Sequence, residues 1–286
     1  MLGDPGIQES ATAGVDTDLP PTYDALERVW RVLNRLDPID SLEELRNGLE
    51  PLRRPPLATG ALLALGFDTN ALFRLGLGAQ GADSLDYLRT LHKGPILVPG
   101  QSVQEVWNNL LAAVEPQAKK LRRRFEELEV EMRAIGQNLG ESGSAVREAI
   151  EELRRVHGDW IDPASQSAFG ATLDVLLAVG KTAYVPRDRF AEIARIRRDT
   201  KTPPGFQDVI GYGDFFIWAD FLYGLALSDT SSLQGIVFVT NDTKSDWSRN
   251  GVPHPILVAE ALAIAPVPFR LWTLQEFQAF AHQFSS

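Results

Sequence analysis

The stretch Ile236–Trp247, IVFVTNDTKSDW, decides the fold class of this chain. Its first four residues are apolar and β-prone, which predicts a buried strand of a parallel sheet, apolar on both faces. The strand leads directly into the polar residues Thr240, Asn241 and Asp242. In open α/β sheets the ligand crevice lies beyond the carboxyl ends of the strands. We therefore predict an α/β fold with a functional site at this turn.

Three other stretches have the same apolar, β-prone character, at residues 61–67, 95–98 and 268–272. The first is followed at once by Asp68, and the second by a helical pattern that carries Glu105. If the strands are parallel, their carboxyl ends lie on one edge of the sheet. The polar residues that follow the strands should then meet at that edge.

Acidic residues stand at four of the predicted element ends. They are Asp68, Glu105, Asp214, Asp242 and Asp246. Carboxylates gathered in one place repel one another unless a cation is present. The chain has no cysteine and only four histidines, which are scattered, so a metal would have to be held by carboxylates. Oxygen ligands of this kind favour one or two Mg²⁺ or Mn²⁺ ions, which can support hydrolysis of a phosphodiester.

Ordinary structural roles are open for several of these acids. Glu105 stands three residues after Ser102, the spacing of a capping box, and Asp214 could cap a helix that begins at Gly213. Asp208 follows a Pro-Gly turn and is assigned to turn chemistry. Each structural role is sufficient for one residue, but together they do not explain why all the acids stand at element ends.

The charge distribution separates acidic and basic regions. A net charge of −10 argues against a protein that coats nucleic acid non-specifically. Residues 187–201 nevertheless contain six basic and three acidic side chains. The candidates for phosphate contacts in this region are Arg195, Arg197, Arg198 and Lys201. There is no apolar run of the roughly 20 residues that a membrane span needs, and no signal-peptide pattern, so we expect a cytoplasmic protein without a membrane partner.

Composition changes along the chain predict its organisation. Residues 1–20 are polar, acidic and turn-rich, which predicts a disordered N-terminus. Residues 21–60 have two helical patterns and are interpreted as a helical extension. The main domain is predicted at residues 61–286, with a highly charged helical insertion at residues 115–200.

The motifs together resemble a known family. The order FDTN (67–70), a helix-borne Glu, Gly-Asp at a helix start and VTNDxxxDW (239–247) is similar to the PIN domain, a metal-dependent nuclease fold. The segment RRDTKTPPGFQDVIGYGDFFIW (197–218), followed by the stretch 236–247, resembles a bacterial PIN-like subfamily with a long helical insertion. The resemblance covers about residues 61–286.

This resemblance implies a three-layer α/β/α sandwich around a central parallel sheet. It implies that Mg²⁺ or Mn²⁺ is bound by the five acids named above, with Asn70 and Thr240 as supporting polar residues near the metals or the scissile phosphate. Lys244 would approach the phosphate. The chain departs from the subfamily pattern at Asn241, where Asp is common, at Gln207, where Lys is common, and at Ser248, where a second aromatic residue is common.

Three functional hypotheses follow. The first is an endoribonuclease that hydrolyses RNA, with the helical insertion and residues 187–201 holding the backbone. The second keeps the fold and acts on DNA, as structure-specific flap nucleases do. The third is a catalytically weak module that binds nucleic acid or a protein partner, the latter through the N-terminal helical extension. The sequence leaves open whether the protein forms a homo-oligomer.

Overall fold

The computed structural model describes residues 21–49, 57, 62–114, 123–124, 126–132, 140–157, 163–208 and 211–284. The prediction for residues 1–20 and parts of the predicted insertion lie outside these ranges. Within the described ranges, no helix combines the length and the hydropathy that crossing a membrane would require.

Five parallel strands form the central sheet, in the order β3-β2-β1-β4-β7. The strands are β1 Leu63–Phe67, β2 Ile96–Pro99, β3 Gly180–Ala183, β4 Gly235–Val239 and β7 Phe269–Trp272. A separate antiparallel pair consists of β5 Ser248–Arg249 and β6 Val252–Pro253. The α/β class and the parallel sheet predicted from residues 236–247 are confirmed.

Helices cover both faces of this sheet. They are α1 Pro21–Leu33, α2 Ser41–Leu49, α3 Thr69–Arg74, α4 Gly81–Asp86, which continues as a π-helical turn at Tyr87–Leu91, α5 Gly100–Val114, α6 Gly140–His157, α7 Pro163–Val179, α8 Arg187–Asp199, α9 Gly213–Ala226, α10 Pro255–Ile264 and α11 Leu274–His282. Residues 126–132 are also helical.

Strand β4 shows why the fold has three layers. Ile236 and Phe238 point into a core shared with α1, α8, α9 and α10, whereas Val237 and Val239 point into a second core shared with α3, α7 and α11. Side chains alternate between the faces of a strand, so a strand that is apolar at every position needs a cover on each side. The sandwich architecture is therefore a direct consequence of the apolar run.

The chain reverses direction across the sheet between β1 and β4. It passes from β1 to β2 and β3 on one side and then returns to place β4 on the other side of β1. Phe67 is in register with Val239, and the backbone N–H of Asp68 donates to the carbonyl of Val239 at 3.0 Å. Crevices at such reversal points are the usual ligand sites of open α/β sheets.

Strand β3 and helix α8 lie inside the range predicted for the insertion. Strand β3 pairs with β2, and Phe190 and Ile193 of α8 are buried in the core. Helix α7 also contributes to the opposite core through Phe169 and Leu176. The helical insertion at residues 115–200 stays a prediction, and β3, α7 and α8 within that range pack against the central sheet.

A buried charge cluster joins α1 to the rest of the fold. Glu260, which is fully buried, accepts hydrogen bonds from Arg197 at 2.7 Å and from the Trp218 indole at 2.8 Å, and Arg35 lies 3.0 Å from it. Arg197 also donates to the carbonyl of Leu33 at the end of α1, at 3.4 Å. We call Glu260, Arg197, Arg35 and Trp218 the Glu260 cluster. The division of the chain at residue 60 stays a prediction.

Candidate active site

Asp68 directly follows β1, at the carboxyl-terminal edge of the sheet where the chain reverses direction. One carboxylate oxygen, Oδ1, accepts the backbone N–H of Ala71 at 2.8 Å and so caps α3. The other, Oδ2, accepts the hydroxyl of Thr240, the first residue after β4. Asp68 is only 5% exposed, and these bonds fix its carboxylate between the two central strands.

Glu105 projects from α5 toward the same edge of the sheet. Its carboxylate accepts hydrogen bonds from Thr69 at 3.0 Å and from the side chain of Gln101 at 3.1 Å. Helix α5 begins at Gly100, so Ser102 lies inside it and the capping-box interpretation is wrong. A Cβ atom on Gly213 would lie 2.5 Å from Glu105 Oε1. Glycine at this position therefore allows Glu105 to reach the start of α9.

Gln101 is itself held by a buried ion pair. Asp220 is fully buried and binds Arg187 through two hydrogen bonds, at 2.7 and 2.8 Å. The same carboxylate accepts the backbone N–H of Gln101 at 2.8 Å. Asp220 thus fixes the first turn of α5, from which Gln101 and Glu105 extend, and it has a structural role.

Lys244 lies among three carboxylates. Its ammonium nitrogen, Nζ, is 2.5 Å from Asp214 Oδ2, 2.8 Å from Asp208 Oδ1 and 3.1 Å from Asp242 Oδ2. These acids come from separate segments, namely the turn before α9, the start of α9 and the loop after β4. We call these four residues the Lys244 cluster. Three acidic oxygens from three segments therefore converge on one cation.

The loop after β4 is held by its own polar side chains. The backbone N–H of Asp242 donates to the Thr240 hydroxyl at 2.9 Å, and that of Lys244 donates to Asp242 Oδ1 at 2.8 Å. Asn241 accepts the N–H of Leu274 at 3.0 Å, which fixes the loop to the start of α11. This backbone is not helical, so Asp242 and Asp246 do not form a like-charge pair on one helix face.

Asp246 lies next to the cluster and binds backbone instead of Lys244. It is fully buried, and its Oδ2 accepts the N–H of Gly205 at 2.9 Å. Gly205 has φ +88°, a left-handed conformation that glycine adopts without a Cβ clash. Within the described part of the chain, Asp246 Oδ1 has no hydrogen-bond partner. A buried carboxylate oxygen of this kind is costly unless a cation or a donor satisfies it.

Burial dominates the electrostatics of the two central acids. It raises the pKa of Asp68 to about 6, against the opposing hydrogen bond from Thr240. Burial also raises the pKa of Asp214 to about 7, where the hydrogen bond from Lys244 opposes it and the charge of Asp208 adds to it. Burial alone would lower the pKa of Lys244, but the bonds and charges of its carboxylate partners outweigh burial and raise it above its ordinary value.

The donor set suits a hard divalent cation, because every group is a carboxylate. In the described ranges, however, no group of three acidic or histidine side chains is arranged to hold a metal ion directly. The Lys244 ammonium is a stand-in cation at the point where the oxygens of Asp208, Asp214 and Asp242 converge. Asp246 stands two residues after Lys244, and one of its carboxylate oxygens has no hydrogen-bond partner among the described residues. The oxygen ligands are therefore of the type that a divalent ion prefers, and Lys244 Nζ occupies the point where three of them converge.

The residues predicted to contact nucleic acid fall into two groups. Arg195 is exposed and pairs with Glu192 and Asp199, and Lys201 is exposed at the end of α8. Arg197, in contrast, is 3% exposed within the Glu260 cluster, so its predicted phosphate contact is not supported.

Arg198 and Asn70 border the site. Arg198 donates to the carbonyl of Asp208 at 2.9 Å and lies over the ring of Tyr212. It thereby holds the turn that carries Asp208. Asn70 is exposed at the start of α3, beside Asp68.

Asp208 belongs to the Lys244 cluster, whereas the sequence pattern assigned it to turn chemistry. It stands after a Pro-Gly turn, a position where Asp is common for local reasons. The informative signal was its position six residues before Asp214, in a segment that must return to the sheet edge. Gln101, which positions Glu105, was also missed, and its spacing of four residues on α5 is the signal that indicates the contact.

One of the comparisons with known proteins gave a match. A family model described as a PIN like domain matches residues 178–256. The matched range includes Asp208, Asp214, Asp242, Lys244 and Asp246, whereas Asp68 and Glu105 precede it. Searches of curated proteins and of solved structures gave no significant match. The family match supports a PIN-like domain in this chain, and a PIN-like domain suggests a function of the nuclease type.

Proposed function

We propose that this protein is a metal-dependent endoribonuclease that hydrolyses phosphodiester bonds of RNA with Mg²⁺ or Mn²⁺. The observation that carries the proposal is the convergence of Asp208, Asp214 and Asp242 on one cation at the carboxyl-terminal edge of a parallel sheet. Asp68 and Glu105 lie at the same edge. The PIN like match, which spans the three converging acids, adds independent support.

In this proposal each side chain has a defined task. A divalent ion, when bound, activates water and stabilises the leaving oxygen of a phosphodiester. Asp208, Asp214 and Asp242 would hold one ion, and Asp246 could complete its ligands. Asp68 and Glu105, each fixed by a threonine hydroxyl, would orient the attacking water or hold a second ion. The exposed side chains of Arg195 and Lys201 would contact the nucleic-acid backbone.

The second candidate function is a module that binds nucleic acid without cleaving it. It is favoured by the observation that the three carboxylates already have a cation, the Lys244 ammonium. A protein in which this ammonium never leaves would bind nucleic acid without a metal and would not cleave it.

A substrate panel tests the proposal. The full chain is incubated with Mn²⁺ and with RNA, single-stranded DNA or a DNA flap, and the products are separated by size. We expect cleavage of RNA that Asp68→Asn and Asp214→Asn each reduce by at least about 100-fold. The control is Asp83→Asn, because Asp83 is on α4 and pairs with His282. Cleavage of DNA alone would favour the DNA nuclease, and binding without any cleavage would favour the binding module.

A further inference from the structure

The Lys244 ammonium lies where a metal ion is expected. It contacts Asp208, Asp214 and Asp242 at 2.5–3.1 Å. A divalent ion binds carboxylate oxygens at roughly 2.0–2.6 Å, so an ion and the ammonium cannot share this point. Two cations placed side by side there would also repel each other strongly in a half-buried site.

We propose that Lys244 is a built-in counter-cation that holds the carboxylates in the metal-free protein and is displaced when the metal binds. The inference rests on the proposed function, because it assumes that an ion uses these carboxylates. It gives Lys244 two positions, one among the acids and one outside them. The phosphate contact implied by the family resemblance then belongs to the second position alone.

The side chain of Lys244 is able to leave while its backbone stays. Its side chain is 32% exposed, whereas those of Asp208, Asp214 and Asp242 are 14–18% exposed. Its carbonyl accepts the N–H groups of Trp247 at 3.0 Å and Ser248 at 3.2 Å, and its own N–H donates to Asp242. The ammonium is carried on a flexible four-carbon stem, which can turn toward solvent without unfolding the loop.

Displacement of the Lys244 ammonium couples binding of the metal to binding of the nucleic acid. An ammonium released from three carboxylates needs a new anionic partner, and a phosphate at the same edge of the sheet would supply one. Metal binding should therefore be stronger when nucleic acid is present. Thermodynamic linkage requires the reverse effect of equal size, so the metal should also strengthen binding of nucleic acid.

Calorimetry with Mn²⁺ alone, on the full chain, tests the displacement. We expect Lys244→Met to bind Mn²⁺ at least about tenfold more tightly than the wild type, because no ammonium competes. Lys181→Met is the matched control, since Lys181 is an exposed lysine on β3 and the change in net charge is the same. Lys244→Arg keeps a positive charge and should bind Mn²⁺ no more tightly than the wild type.

Thermal unfolding provides a second measurement that needs no activity. Without metal, Lys244→Met should melt at a lower temperature than Lys181→Met, because three carboxylates lose their cation. Mn²⁺ should raise the melting temperature of Lys244→Met by more than that of the wild type.

The possible failures are distinguishable. Equal Mn²⁺ affinities for wild type and Lys244→Met would overturn the displacement and leave the metal site intact. Absence of Mn²⁺ binding to every variant would overturn both the displacement and the metal-dependent function. Lys244 would then be a permanent structural counter-ion.

Discussion

Two charge clusters in this protein combine acidic and basic side chains in opposite balance. The Lys244 cluster places three carboxylates around one ammonium, and all its side chains retain some exposure. The Glu260 cluster places two guanidinium groups and an indole around one fully buried carboxylate. In the first, negative charge is in excess and water has access. In the second, the carboxylate is satisfied by protein groups.

The difference in charge balance and exposure suits the Lys244 cluster to a functional role and the Glu260 cluster to a stabilising role. An excess of carboxylate near solvent attracts a cation and leaves room for an exchange of cations. A buried carboxylate with enough donors has no such need, but removal of its charge leaves its partners uncompensated. The two clusters should therefore respond in opposite ways to the same chemical change.

The largest effect is expected in the Glu260 cluster. Glu260→Gln leaves the buried guanidinium of Arg197 without its counter-charge and should cost about 3–5 kcal/mol of folding stability. Urea denaturation measures this loss. Glu192→Gln removes the same charge from an exposed pair and should leave the unfolding midpoint unchanged. A small effect of Glu260→Gln would show that burial alone does not make this cluster structural.

The matching change in the Lys244 cluster is Asp242→Asn. Since Asp242 is one of three partners of Lys244, we expect the fold to persist and RNA cleavage to fall by at least about 100-fold. Cleavage rates per folded molecule, with folding checked by circular dichroism, measure the effect. If Asp242→Asn instead unfolded the protein and left the residual activity normal, the division of roles between the clusters would be wrong.

Proton competition should weaken metal binding in acid. The raised pKa values of Asp68, about 6, and Asp214, about 7, mean that the metal-free folded state keeps protons which the unfolded chain releases near pH 4. These groups therefore make folding stability fall as pH rises from about 4 to 7. Because the metal needs the ionised forms, Mn²⁺ affinity should rise by at least about tenfold between pH 5.5 and 7.5. Calorimetry at three pH values measures this, and Asp214→Asn should flatten the upper part of the curve.

Gly213→Ala tests the positioning of Glu105 without removing a charge. The added methyl group would lie 2.5 Å from Glu105 Oε1 and must push this flexible side chain aside. A misplaced carboxylate should lower cleavage by about tenfold or more, with little change in thermal stability. The control is Gly170→Ala, where a Cβ has open space and α7 is already helical. Normal cleavage by Gly213→Ala would mean that the position of Glu105 is unimportant.

The smallest effect is expected on nucleic-acid binding, when exposed basic side chains are removed. Arg195 is exposed and Arg197 is buried, so only Arg195 can be lost without damage to the core. The double variant Arg195→Ala/Lys201→Ala should lower the slope of log affinity against log salt by about 1–2 and weaken RNA binding several-fold. Fluorescence anisotropy at several salt concentrations measures this. The control is Arg89→Ala, an exposed arginine on the π-helical turn, which should leave the slope unchanged.

The sequence predicted the buried central strands better than the exposed edge strand. Strand β4 was predictable because an apolar side chain at every position requires two covering layers. Strand β3, with the sequence GKTA, was missed because it is short, lies at an edge and has only one buried residue. The acids at the element ends were visible in the sequence, and their metal-binding roles stay predictions.

Contacts between segments that are distant in the chain could not be predicted from the sequence. Arg197 stands in a basic stretch and was predicted to contact nucleic acid, but its partner Glu260 is 63 residues away and fully buried. Asp208 and Lys244 are 36 residues apart, and no local pattern links them. Such pairs depend on how three-dimensional packing brings turns together, which periodicity and capping rules do not describe.

The contact of α1 with Arg197 determines how this chain can be shortened. The carbonyl of Leu33 and the guanidinium of Arg35 both belong to the surroundings of the buried charges. A fragment cut at residue 61 would lose both groups and would uncover the apolar side chains that Val29 and Val32 protect. The smallest fragment able to fold independently should therefore begin before α1, because loss of this helix would remove contacts of the buried Glu260 cluster.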